Sequence, residues 1–141
     1  MARSDANALY DRWLTMWNGN LALANEIVAP GCVVHQAPFG AGEPPVFRGP
    51  DGVAKMVEMG RTPFADLTFT PEIGPIADGA FVCGRWLGQG AYRGGIPGAT
   101  TPEGTPIAFR GIDILRVEDG KVVEYWVSSD GAHLMAQLGI S

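Results

Sequence analysis

Asp113 and Asp130 are the carboxyl groups whose spacing points most directly to chemistry. They flank Asp119-Gly120, a dipeptide that favours a two-residue hairpin turn because both positions tolerate positive φ. An uninterrupted register counted outward from that turn pairs Glu118 with Lys121, Val117 with Val122, Leu115 with Glu124, Asp113 with Trp126, Gly111 with Ser128 and Phe109 with Asp130. Alternation then sets Asp113, Trp126 and Asp130 on one sheet face. Two carboxyl groups beside an indole in an enclosed space suit proton transfer, since lost hydration lifts a carboxyl pKa toward neutrality. Both residues also have structural readings. Asp130 precedes a helical segment and can cap it. Asp113 can be a buried strand carboxylate paired with an arginine or a hydroxyl.

His35 sits in the middle of VVHQAP, where a histidine is either a hydrogen-bonded core residue or an acid/base group. Cys32 and His35 are spaced like part of a metal site, but no second pair completes four ligands, so no metal centre is expected. Ser128 and Ser129 lack a nucleophile-elbow context. Neither a dinucleotide-binding glycine motif nor a phosphate loop is present.

The elements that must position these residues follow from periodicity. Tyr10, Trp13, Leu14, Trp17 and Leu21 recur at helical spacing, which predicts an amphipathic first helix interrupted at Gly19 and Asn20. A short helix over 21–28 stops before Pro30, and a strand follows over 32–37. The Gly- and Pro-rich run 39–50 reads as loop, and Pro50 opens a third helix carrying Val53, Met56 and Val57 and closed by Gly60. Strands are expected around Leu67 and Phe69 and over 81–92, 107–117 and 122–127, with a last helix over 132–138. Under the uninterrupted register the second sheet face carries Arg110, Ile112, Ile114, Arg116, Val123, Tyr125 and Val127. Both faces are then apolar, which predicts helices on one and a second copy of the chain on the other, through Ile112, Ile114, Tyr125 and Val127.

Composition bounds the function. A chain of 141 residues suits a single domain, 1–141, and its four Trp, six Phe and three Tyr exceed what a minimal core requires. Fifteen acidic against ten basic residues give a net charge of -5, which disfavours nucleic acid as a partner. Cys32 and Cys83 lie in apolar stretches and read as reduced core thiols. No segment has the length or pattern of a signal peptide or membrane span, so a cytoplasmic protein is expected.

FRGPDGV, RWLGQGAYRG, GIDILRVEDGKVVEYWVSSD and the closing QLG together resemble the SnoaL-like polyketide cyclase family over nearly the whole chain. The most specific part is 111–130, with G-x-D-x-x-R, D-G-K and E-x-W-x-x-x-D in order. The resemblance implies an α+β cone of the nuclear transport factor 2 type: a strongly bent, mostly antiparallel sheet wrapped by about four helices around a pocket. It implies that Asp130 is the general acid/base of an intramolecular aldol closure and that His35 lies in the pocket. Asp113 falls where the related ketosteroid isomerases place the protonated aspartate of their oxyanion hole, an enzyme that serves as the established example of that device. Many relatives carry histidine where this chain has Tyr92, and the loop after it is longer than usual. Limonene epoxide hydrolase, of the same fold, uses an Asp-Arg-Asp set of which two groups are missing here.

The expected activity is a cyclase or isomerase that acts without a cofactor on a polyketide-like or polycyclic carbonyl compound. Asp130 and His35 are its expected catalytic residues, and Asp113, Trp126, Trp86, Tyr92 and Trp17 its expected substrate contacts. A non-catalytic binding module and a pericyclic cyclase are the alternatives.

Overall fold

A computed structural model describes residues 2–37 and 46–140. Helix α1 spans Arg3–Trp17, a 3-10 turn Leu21–Leu23, α2 Ala24–Ile27, β1 Val28–Gln36, α3 Gly49–Arg61, β2 Phe64–Asp78, β3 Phe81–Tyr92, β4 Pro106–Glu118, β5 Lys121–Ser129 and α4 Gly131–Gln137. The five strands form one curved sheet in the order β1-β5-β4-β3-β2, with β1 parallel to β5 and every other pair antiparallel. The α+β architecture read from the sequence is the one observed.

Ala6, Leu9, Tyr10, Trp13, Leu14 and Met16 form the buried stripe of α1, and the helix ends before Gly19, whose φ of 116° departs from helical geometry. Leu21 belongs to the following 3-10 turn rather than to α1. β1 begins four residues earlier than expected and takes in Pro30, a placement an edge strand allows because one side of its backbone has no ladder partner. Of the expected loop 39–50, residues 39–45 lie outside the described residues. Arg48 bridges to Val33, and α3 starts at Gly49, which takes φ of 67° where a Cβ would run into the Pro30 carbonyl. Val53, Met56 and Val57 bury the inner face of α3.

The Asp119-Gly120 turn is present, with φ of 51° and 74°. The register counted from it, however, holds for two pairs only. After Glu118–Lys121 and Val117–Val122 the ladder resumes as Arg116–Glu124, Leu115–Tyr125, Ile114–Trp126 and Asp113–Val127, leaving Val123 as the extra residue of a bulge. One inserted residue exchanges the two faces of β5 beyond it. The bulge follows polarity: it carries Glu124 out beside Arg116 and turns the Tyr125 ring into the core.

The expected face assignments are corrected accordingly. Asp113 faces inward with Leu115, Tyr125 and Val127, whereas Trp126 faces outward with Ile112 and Ile114. Tyr125 and Val127 therefore leave the proposed partner face. That face instead gathers Phe81, Ile112, Ile114 and Trp126. Cys32 is a buried free thiol, pushed up to about 11 by its burial. Cys83 pairs with Ile114 and so lies half-buried on the outer face, not in the core.

Candidate active site

Among the described residues, Asp113 is the charged residue buried in the core, 1% exposed, at the meeting of α1, β3, β4 and β5. Three side chains donate to it. Tyr125 Oη and Trp86 Nε1 reach Oδ1 at 2.7 Å and 3.2 Å, and Tyr10 Oη reaches Oδ2 at 3.1 Å. Burial raises its pKa to about 6, against the opposing pull of Tyr125, Trp86 and Tyr10, whose bonds favour the carboxylate. The two phenols are pushed well above their ordinary value, first by burial and then by the neighbouring Asp113 charge.

Glycines make room for this arrangement. A Cβ on Gly84 would stand inside the Tyr10 ring, and one on Gly111 would stand inside the Trp86 indole. The sheet thus lacks side chains where the aromatic groups come down onto it. Trp86 packs edge-on to Phe69 at 5.0 Å and to Phe109 at 5.5 Å between centroids, and Trp17 adds to the same wall through Phe69. Tyr92 lies inward on the same strand as Trp86, against Phe64, and its hydroxyl accepts from the Ile96 backbone N–H at 3.1 Å. Trp86, Tyr92 and Trp17 are therefore gathered along one interior wall.

His35 lies on the opposite side of the sheet. Its ring stacks on Trp126 at 5.1 Å, its side chain is 44% exposed, and Nε2 meets Glu124 Oε2 at 2.6 Å. Glu124 also accepts from Arg116, and these bonds, His35 first, hold its carboxyl below the usual range. Asp130 is also remote from the inner face. It stands before α4, but its side chain makes no capping bond, and its backbone N–H donates to the Arg110 carbonyl at 2.9 Å. With 51% of its side chain exposed, it lies 3.8 Å from Arg85. Arg85 and Arg110 both donate to Glu72, at 2.8 Å and 2.6 Å, and hold that carboxyl low. Asp113, Trp126 and Asp130 are consequently not one constellation.

An open cleft of about 610 Å³ lies at the end of β1, lined by Val33–Ala37 and by Val46, Phe47 and Arg48. His35 borders it, and Gln36 enters it from the inner side of the strand. Among the described residues, no group of three His, Cys, Asp or Glu could hold a metal ion, and no helix is long and apolar enough to cross a membrane.

Tyr10 and Tyr125 are the site residues that the sequence reading missed as partners of Asp113. Tyr10 was visible on the aromatic stripe of α1. Its target was not, because nothing in helical periodicity says which strand a ring meets. Tyr125 was placed on the wrong face by a bulge that has no glycine to mark it.

The SnoaL-like polyketide cyclase family matches the chain over residues 7–138. No curated protein matches it. Among solved structures, TsrD from Streptomyces laurentii is 24% identical, with a TM-score of 0.82 and coverage of 100% of this chain and 99% of that one. IdmH from Streptomyces antibioticus, a candidate polyketide cyclase, is 27% identical at a TM-score of 0.80, covering 96% of this chain and 99% of its own. A candidate polyketide cyclase from Acidithiobacillus ferrooxidans gives 23% identity and a TM-score of 0.82 over 99% and 98%.

Proposed function

The chain belongs to the SnoaL-like polyketide cyclase family, and from that premise we propose that it is a cofactor-independent cyclase or isomerase of a polyketide-like or polycyclic carbonyl compound. The observation that carries this reading is Asp113: a fully buried carboxyl with a pKa raised to about 6, set in an aromatic wall. A group poised there can exchange a proton at neutral pH. As carboxylate it takes a proton from the carbon next to a carbonyl. Once protonated, it returns that proton to the alkoxide left by ring closure, so the step balances without another reactant. Tyr10 is the donor supplied by the helix layer, and its displacement from Oδ2 gives a ligand its approach. Trp86 and Tyr125 then hold Oδ1.

The resemblance assigns the acid/base role to Asp130, assisted by His35, and that assignment stands as the rival. Parallel Asp113→Asn and Asp130→Asn proteins separate the two, once a thermal-shift screen of polycyclic ketones has supplied a substrate. Loss of roughly a hundredfold to ten-thousandfold in turnover at Asp113 alone supports the present reading. The same loss at Asp130 alone transfers the role there. A binding module without catalysis is favoured by one specific observation: both oxygens of Asp113 already have protein donors, so the carboxylate is satisfied without a ligand. In that case neither variant has a turnover to lose.

The chain is also proposed to form a homodimer through its outer sheet face. Ile73, Ile76, Phe81, Ile112 and Ile114 are exposed there, large apolar side chains gathered on one face of the kind that marks an interaction site.

A further inference from the structure

The three donors around Asp113 are not equivalent. Oδ1 takes two of them, Tyr125 Oη at 2.7 Å and Trp86 Nε1 at 3.2 Å, whereas Oδ2 takes one, Tyr10 Oη at 3.1 Å. They also differ in kind. An indole nitrogen only donates, so Trp86 cannot receive a proton held on Oδ1, while a phenol can donate or accept. Of the two phenols, Tyr125 is held from behind. The Trp13 indole meets the Tyr125 ring edge-on at 4.7 Å between centroids. Its buried N–H completes no hydrogen bond among the described residues, but it bears on the Tyr125 hydroxyl and pulls that pKa down against the larger effects of burial and the Asp113 charge. An N–H set against the lone pairs of that oxygen keeps the Tyr125 hydrogen directed at Oδ1. No indole acts on the Tyr10 hydroxyl in this way. Besides burial, it feels Asp113 and, least of all, the Cys83 thiol of β3.

We infer that Asp113 carries its exchangeable proton on Oδ2 and that Tyr10 is the positioning residue that meets it there, turning from donor to acceptor as the carboxyl is protonated. This rests on the reading that makes Asp113 the acid/base group, and it names the oxygen that does the work in the free protein. The incoming proton forms the O–H bond at Oδ2. The Tyr10 hydroxyl loses no proton of its own and turns about its C–O bond, while Tyr125 and Trp86 go on donating to Oδ1. The titratable groups facing the carboxyl are Tyr10 from α1 and Tyr125 from β5, since Trp86 and Trp13 carry no charge. The reversal has a consequence for the chemistry. Three fixed donors would favour the carboxylate throughout, whereas a third donor that becomes an acceptor serves both forms and leaves the group able to take up a proton near neutrality.

The test compares the Asp113 titration midpoint, read by carboxyl-carbon NMR, in the parent, Tyr125→Phe and Tyr10→Phe proteins. Tyr125→Phe removes a fixed donor to the carboxylate and should raise the midpoint by about one pH unit, the weight of one hydrogen bond to a charged group. Tyr10→Phe removes a donor from the carboxylate and an acceptor from the acid together, so the midpoint should stay within about a third of a unit of the parent's. Two tyrosines with merely structural roles would not differ in this way. Equal shifts in the two variants, or the larger shift in Tyr10→Phe, overturn the inference. A second reading needs no variant to fold. In the parent, the ring carbon bearing the hydroxyl should move through the Asp113 titration at least about twofold further in Tyr10 than in Tyr125, because only Tyr10 changes from donor to acceptor. Equal movement contradicts the reversal. Neither measurement depends on turnover, so the acid/base reading fails separately: undiminished turnover in Asp113→Asn removes it and leaves the contrast between the two tyrosines as measured.

Discussion

Tyr125 donates to Asp113 at 2.7 Å only because Val123 is extruded from the β4–β5 ladder. If Val123 were paired in the ladder, the straight register would turn Tyr125 and Val127 outward and bring Glu124 and Trp126 into the core. Deletion of Val123 removes the extra residue and lets Arg116–Glu124 and Leu115–Tyr125 follow Val117–Val122 directly, so the faces of β5 are kept and the variant is expected to unfold cooperatively. Circular dichroism during thermal melting reads this out. A deletion variant that loses cooperative unfolding contradicts it.

Asp113 also predicts a pH dependence of stability. Its folded pKa of about 6 lies above the ordinary value of 3.8. Between those values the native state binds more protons than the unfolded chain, so this group makes the protein less stable as pH rises from about 4 to about 6. The full penalty, present above pH 6 and absent below 4, is on the order of 3 kcal/mol. Glu72 and Glu124, held low by Arg110 and His35, tilt the curve the opposite way as pH falls through their range. The comparison is therefore with Asp113→Asn, which keeps both. Urea melts of the two proteins should diverge in slope between pH 4 and pH 6, and parallel slopes would count against a raised Asp113 pKa.

Gly84→Ala tests the close approach of α1 to the sheet. The added methyl must push the Tyr10 ring away, breaking its bond to Asp113 Oδ2 and overpacking the core. A loss of about 2 kcal/mol in unfolding free energy is expected. An unchanged stability would mean that Tyr10 has room to move, and that the glycine is not needed there.

Much of the scaffold was legible in the sequence, because α1, α3 and β3 are long periodic segments bounded by Gly or Pro. The bounds expected for β3, 81–92, are those observed. The candidate site was legible only in part. Asp113 was singled out and lies inward, but its companions were exchanged: an uninterrupted count from Asp119-Gly120 cannot foresee a bulge at Val123, whose β-branched side chain looks like any other strand residue. The stacking of His35 on Trp126 across the parallel β1–β5 pair is a long-range contact that no local pattern encodes.

The outer sheet face yields its own prediction. The wild-type chain should sediment as a dimer at micromolar concentration, and Ile114→Lys, on the exposed face opposite the core, should give a folded monomer. A monomeric wild-type protein contradicts the dimer. A dimeric Ile114→Lys protein removes this face from the interface.

The central claim is that Asp113 exchanges protons within a ligand-binding interior, and carboxyl-carbon NMR of Asp113 tests it most directly, titrated with and without bound 2-hydroxyanthraquinone. The account predicts a midpoint near 6 in the free protein and a displaced resonance when the ketone binds. A carboxyl that stays ionised down to the ordinary aspartate range, about pH 4, and does not respond to the bound ketone would contradict it.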